Sequence, residues 1–392
     1  GFKSDGAEQW NLTFSTFATL FKIMGIMRWI VALAMFLLMA TPGYGIDEPL
    51  SDTTDNHPKG ERKEIFDPGD FILEHVMDSY EWHVLTAGKT HVSIPLPVIL
   101  YTKEQGLNIF LSSRFHHGEA SYKGFAIAKE GKYQGKIVRV DEEGHQIAGI
   151  GRPVDLSITK TVFAMLISML IILLIFIPMA RKYLNSPNRA PTGFQSLVEP
   201  VILFVRDDIA IPSIGHQRYE KFMPFLLTVF FFILTNNLLG IIPIPPGGAN
   251  VTGNIAITGV LAVATFLVTT FTADRNYWKH IFNAPGVPWW LKFPIPLMPF
   301  IELLGIFTKP FSLCIRLFAN ILAGHFIMLS FIVIIFIFGQ MNWIAGYGVS
   351  VLSVIFYVFM TLLEILVSFI QAYVFTLLSA LYFGMAHEEA HA

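Results

Sequence analysis

The chain has 392 residues, of which 53% are hydrophobic and only 14% charged, with a mean hydropathy of +0.55. That excludes an ordinary soluble domain and fits a polytopic membrane protein. Lysines and arginines number 27 against 29 acids, a net charge of −2, so no basic surface calls for a nucleic acid; the single cysteine excludes an intrachain disulfide.

In chain order, residues 23–45, "IMGIMRWIVALAMFLLMATPGYG", place Arg28 before an apolar run and then small residues at Gly43 and Gly45. This is the pattern of a secretory signal peptide cleaved near Gly45, with an uncleaved anchor helix over Leu20 to Ala40 as the alternative. The stretch before Met24 is long for the head of such a leader, so translation is expected to start at Met24 or Met27. Residues 46–157 then change character. A polar stretch, "DEPLSDTTDNHPKGERKE", precedes "FILEHVMDSYEWHVL", whose apolar spacing predicts a helix. Short runs with strand composition follow: "THVSIPLPVILYT", "GLNIFLSS", "KGFAIAKEG" and "KIVRVDEEG". They predict a small β-containing domain. Its histidines, "HHGE" at 116–119 included, lack the spacing of metal ligands and are read as solvated.

Beyond residue 157 the apolar runs reach membrane length: Val162 to Met179, Phe222 to Ile242, Ile255 to Thr272, Leu297 to Phe338 and Val349 to Phe383. These predict an all-α polytopic membrane domain, residues 158–392, with five membrane helices. Between the first two, "FQSLVEPVILFVRDD" reads as an interfacial amphipathic helix or a loop. Basic residues crowd two connections (Arg181, Lys182, Arg189, Arg206, Arg218, Lys221; then Arg275, Lys279, Lys292), whereas "PIPPGGANVTGN" and "GQMNWIAGYG" carry none. By the positive-inside bias the basic connections are cytoplasmic, residues 46–157 extracytoplasmic and the C-terminus cytoplasmic. The last two runs exceed what a bilayer of about 30 Å requires, so these helices must tilt or break, and together they form a hairpin.

Within that hairpin lie charges that a membrane tolerates poorly. Arg316 sits inside "FSLCIRLFANILAGHF", and no acid follows it until Glu364. An arginine at mid-bilayer costs about 2.5–3.5 kcal/mol on insertion scales. On the final helix Ser353, Tyr357, Thr361, Glu364, Ser368 and Gln371 recur every three or four residues, one polar face on an apolar rod. Antiparallel pairing sets Arg316 level with Gln371, Asn320 with Ser368 and His325 with Glu364, the midpoints all falling within the 339–348 connection. On an ideal helix His325 nevertheless points about 180° from Arg316. Either the helix twists near Gly324 or its two faces do different work.

"KPFSLCIRLFANILAGH", with "LVSFIQAYVF" and the earlier "FMPFLLTVFFFILTNNLLGIIP", resembles subunit a of the F-type ATP synthase, the stator half of its proton channel, over about residues 190–388. The resemblance implies that Arg316 is the essential arginine facing the rotor ring of c subunits, with Asn320 and Gln371 beside it. It implies that His325 and Glu364 occupy the two polar positions of the inlet half-channel, Tyr357, Thr361 and Ser368 supporting them. It further implies a bacterial inner-membrane location, a peripheral stalk of b subunits as a second partner, and no cofactor. The outer domain departs from the family, so residues 46–150 inherit nothing from it. Two readings of other classes compete. "HEEAH" at 387–391 matches a zinc-protease motif with His387 and His391 as ligands and Glu388 as base, but it ends beside the C-terminus with no third ligand to follow. A secondary ion transporter would also hold charge at mid-membrane, but no internal repeat is visible.

Overall fold

The computed structural model describes residues 68–87, 90–118, 120–128, 133–141, 145–147, 152–185, 193–242, 247–282, 297–341 and 343–387. The leader-like segment, the polar stretch up to residue 67 and all of the HEEAH tail except His387 lie outside these residues.

The N-terminal region begins with α1 (Pro68–Val76), whose first residue is a proline, pre-set for helix and lacking an N–H that would be orphaned there. The predicted helix does not extend further. Residues 81–87 form strand β1 (Glu81–Ala87), paired antiparallel with β2 (Thr90–Pro95). The backbone of "EWHVLTA" finds a partner strand close by in the chain, which outweighs the helix-like spacing of the apolar positions. β3 (Pro97–Thr102) pairs with β4 (Gly106–Leu111) on one side and with β7 (Val154–Asp155) on the other, while β5 (Phe125–Ile127) pairs with β6 (Ile137–Arg139). Strand alternation sends Val98 and Leu100 inward, where they meet Tyr80, Phe115, Phe125 and Ile137. The Tyr80 hydroxyl donates to Asp155. Burial first, and then the neighbouring carboxylate, push this phenol above its ordinary range, so it remains a donor. His116 and His117 both adopt positive φ in the tight turn that follows β4, and His117 Nδ1 lies 2.8 Å from Glu81 Oε2. Among the described residues no three potential ligands converge as a metal site requires.

The rest is helical: α2 (Lys160–Asn185), α3 (Phe194–Phe204), a wide π-type segment over Val205–Ala210, α4 (Ile211–Ile214), α5 (Tyr219–Ile241), α6 (Ile255–Thr272), α7 (Arg275–Phe282), α8 (Leu297–Met341) and α9 (Trp343–Ala386). Among the described residues five helices, α2, α5, α6, α8 and α9, are long and apolar enough to cross a membrane. The chain therefore combines an all-α polytopic membrane part with a small β region. The stretch between the first two spans is helical, and its inner face buries Gln195, Val198, Glu199, Ile202, Val205 and Arg206.

α5 is the central pillar. Its Phe222, Met223, Leu226, Phe230 and Ile233 are almost wholly buried against Leu313, Leu317 and Ile321 of α8 and Ala372, Phe375 and Phe383 of α9. Ring contacts fix the relative directions: Phe222 stacks on Phe383 at 4.8 Å and Phe230 meets Phe369 at 5.8 Å, so α5 and α9 are antiparallel. α8 remains one helix through Pro310. It runs antiparallel to α9, as Phe331 stacking on Phe356 at 5.5 Å and Thr361 donating to Met328 Sδ at 3.7 Å both require.

The N-terminal region is fastened to the start of α2. Asp78 accepts from the Thr161 N–H at 3.0 Å, the Ser79 carbonyl accepts from the Lys160 N–H at 2.9 Å, and Lys160 Nζ donates to the His75 carbonyl at 3.2 Å. These bonds satisfy N–H groups that a helix start would otherwise leave unpaired, and Asp78 sets a negative charge against the positive end of the helix dipole.

Candidate functional site

The polar stripe of α9 from Ser353 to Gln371 faces inward. Ser353, Glu364, Ser368 and Gln371 are buried and Tyr357 and Thr361 half-buried, whereas Val354, Ile355, Val358, Leu362, Ile365 and Leu366 on the other faces are exposed. The helix thus turns its polar stripe to protein and its apolar surface outward, the reverse of a soluble helix.

His325 on α8 meets this stripe. Its Nδ1 lies 2.9 Å from Glu364 Oε1, and both side chains are at most 10% exposed. The same nitrogen is aligned with the Ile321 carbonyl at 3.0 Å. The carboxylate is therefore within ion-pair distance without an aligned hydrogen bond, and both its oxygens, like His325 Nε2, lack a hydrogen-bonding partner among the described residues. Two glycines make the meeting possible. A Cβ on Gly324 would lie 3.0 Å from Glu364 Oε1, and one on Gly240 of α5 would lie 3.5 Å from His325 Nε2.

Further buried amides, which sequence reasoning did not single out, lie at the depth of the pair. Asn236 and Asn237 of α5 are 1% and 2% exposed. By the register of α5 against α9 they stand at the depth of Glu364. Asn236 Nδ2 donates to the Phe232 carbonyl at 2.8 Å and Thr252 donates to Asn237 Oδ1, but Asn236 Oδ1, Asn237 Nδ2, Asn250 Nδ2 and Ser368 Oγ have no hydrogen-bonding partner among the described residues. Buried polar atoms left so are ordinarily satisfied by ordered water, so this layer suits a hydrated seam. The signal was visible in the sequence, as two adjacent asparagines inside an apolar run.

Arg316 and Asn320 lie on the opposite face of α8. Both are exposed, on a stripe shared with Ser312, Ala319 and Ala323, small residues that let another helix approach closely. Arg316 forms no hydrogen bond or ion pair with a described residue, and none joins it to Gln371 or joins Asn320 to Ser368. Of the three pairs at equal depth, only His325 and Glu364 meet. The two faces of α8 therefore differ without a break at Gly324: one buries an imidazole, and the other presents a bare guanidinium. Another arginine, Arg206 on the π-type segment, is instead buried and paired with Asp207 at 2.7 Å.

A family model described as ATP synthase A chain matches residues 162–384, and another described as a domain of unknown function matches residues 71–156. Among curated relatives, ATP synthase subunit a of Chloroherpeton thalassium is 44% identical over 243 residues, covering 60% of this chain and 68% of that protein. ATP synthase subunit a 2 of Chlorobaculum tepidum is 46% identical over 246 residues, covering 60% and 66%. ATP synthase subunit a of Myxococcus xanthus is 41% identical over 261 residues, covering 64% and 80%.

Proposed function

The chain belongs to the ATP synthase subunit a family, and from that premise we propose that residues 158–392 are the proton channel of the stator in a bacterial inner membrane. Residues 46–157 lie outside the membrane and the C-terminus in the cytoplasm, as the basic connections direct. The exposed face of α8 is turned to the c-subunit ring, and a peripheral stalk of b subunits holds the assembly against it.

Protons enter along the inward stripe of α9, past Tyr357 and Thr361, to His325 and Glu364. A carboxyl and an imidazole held side by side each stabilise the charged form of the other, so a proton passes between them at low cost. Ser368 and Gln371 continue the stripe towards the depth of Arg316. Arg316 stands about 13 Å along the helix from His325, close to nine residues of helical rise. Its charge lowers the pKa of a rotor carboxylate that arrives beside it, which makes that carboxyl release its proton towards the outlet. The same charge repels a proton attempting to hop directly between the two half-channels. Asn320, one turn away on the same face, offers the passing carboxylate a neutral amide.

The observation that carries this reading is an exposed arginine with no hydrogen bond or ion pair among the described residues on one face of α8 and a buried imidazole–carboxylate contact on the other. ATP-driven proton pumping in membrane vesicles tests it. Arg316→Ala inserts normally and abolishes pumping. Arg316→Lys fails or nearly fails, because a desolvated ammonium can lose its charge and a guanidinium cannot. Normal pumping by Arg316→Ala would overturn the reading.

A further inference from the structure

The outer region of residues 68–156 takes no part in the chemistry above, yet it is seated directly over it. Trp82 of β1 is 3% exposed and shares one cluster with Ala164 and Met165 of α2, Ala249 and Val251 of the connection before α6, and Ile257 of α6. Its ring stands edge-on to Phe163 at 5.7 Å. Beneath this cluster, Gly240 separates Ala249 from the buried pair: a Cβ placed on Gly240 would lie 3.5 Å from the Ala249 carbonyl oxygen and 3.5 Å from His325 Nε2. Trp82, Ala249, Gly240 and His325 thus follow one another from the outer domain to the proton-carrying pair. His325 Nε2, Asn237 Nδ2 and Asn250 Nδ2 have no hydrogen-bonding partner among the described residues along this line. Polar atoms of that kind beneath an indole mark the end of a hydrated seam rather than the interior of an apolar core.

We infer that the outer domain is the cap of the proton inlet, with Trp82 seated on the 249–251 backbone as the element that restricts access to His325. The bonds from Asp78, Ser79 and His75 to the start of α2 hold the cap in register over the mouth. This rests on the reading of His325 and Glu364 as the inlet carriers. The cap itself is a claim about access, which can be measured apart from proton flow.

The test uses the full chain in its assembled complex, with Cys314→Ser removing the native thiol and Asn250→Cys placing a probe under the cap. In vesicles exposing the outer side, a membrane-impermeant maleimide reacts slowly with this probe. Adding Trp82→Ala raises the labelling rate roughly tenfold, equivalent to about 1.4 kcal/mol in the local opening equilibrium. Phe163→Ala, which removes the facing ring from the membrane side, does the same even where the Trp82 variant fails to fold, while Trp82→Phe keeps labelling slow. Passive proton conductance, measured after the soluble ATPase head is stripped, rises in both alanine variants. Unchanged labelling and conductance in the two would overturn the cap. Conductance indifferent to Glu364→Gln would instead overturn the inlet reading, and the labelling rates would then decide the cap alone.

Discussion

A Cβ on Gly324 would stand 3.0 Å from Glu364 Oε1 and 3.3 Å from its Cδ, tighter than side chains ordinarily allow. Gly324→Ala should strengthen the isolated helix slightly, since alanine is the better helix former. It should also push the carboxylate away from His325. Slower passive proton conductance in a variant that accumulates normally is the expected result, and undiminished conductance would show that the contact is not used. A sharper test exchanges the pair. His325→Glu or Glu364→His alone should slow proton flow, and the double exchange should recover much of the loss, with a coupling on the order of 0.5–3 kcal/mol in a double-mutant cycle. Strict additivity without rescue would mean that the two residues act independently. At this scale the sequence revealed depth better than direction. The short connection between the two long helices fixes which residues share a level, so His325 with Glu364 was legible. Arg316 with Gln371 and Asn320 with Ser368 share levels too, but they diverge around the helix axis, and level alone carries no azimuth.

Among the elements, long apolar runs declared themselves because membrane length and composition leave few alternatives. The boundary between α1 and β1 did not, because in "EWHVL" the helical spacing is as good as the strand composition, and only the partner strand β2 decides. The π-type segment over Val205–Ala210 was also illegible, since a wide turn differs from its neighbours in backbone bonding and not in residue type. Where α4 meets the end of α9, packing is closer still. A Cβ on Gly384 would fall 2.0 Å from the Ser213 carbonyl oxygen, which is backbone and cannot rotate aside. Gly384→Ala should therefore cost about 1–3 kcal/mol through overpacking, seen as a lower melting temperature of the detergent-solubilised protein. An unchanged melting temperature would place that contact outside the stable fold.

For the molecule as a whole, five helices among the described residues are long and apolar enough to cross a membrane, and the proposed topology, an odd number of crossings, sets the two ends of residues 68–387 on opposite sides. Cysteines introduced at Asn108 and Ala392 should accordingly react with impermeant reagents from opposite sides, and reaction of both from one side would require an even number of spans. The seat of the N-terminal β region on α2 and the 247–254 segment was beyond the sequence, because Trp82 and Ala249 are far apart in the chain and no local pattern announces their contact. Exposed Arg316 has a consequence for the life of the chain before it meets a partner. With α8 spanning the bilayer as proposed, a solitary copy would hold this cation against lipid at a cost of about 2.5–3.5 kcal/mol, a bias of roughly a hundredfold towards any arrangement that covers it. Orphan subunits are thereby chemically distinct from assembled ones. On the proposed reading, the residue that would act in turnover would thus also favour assembly, because a partner that covers it removes that cost.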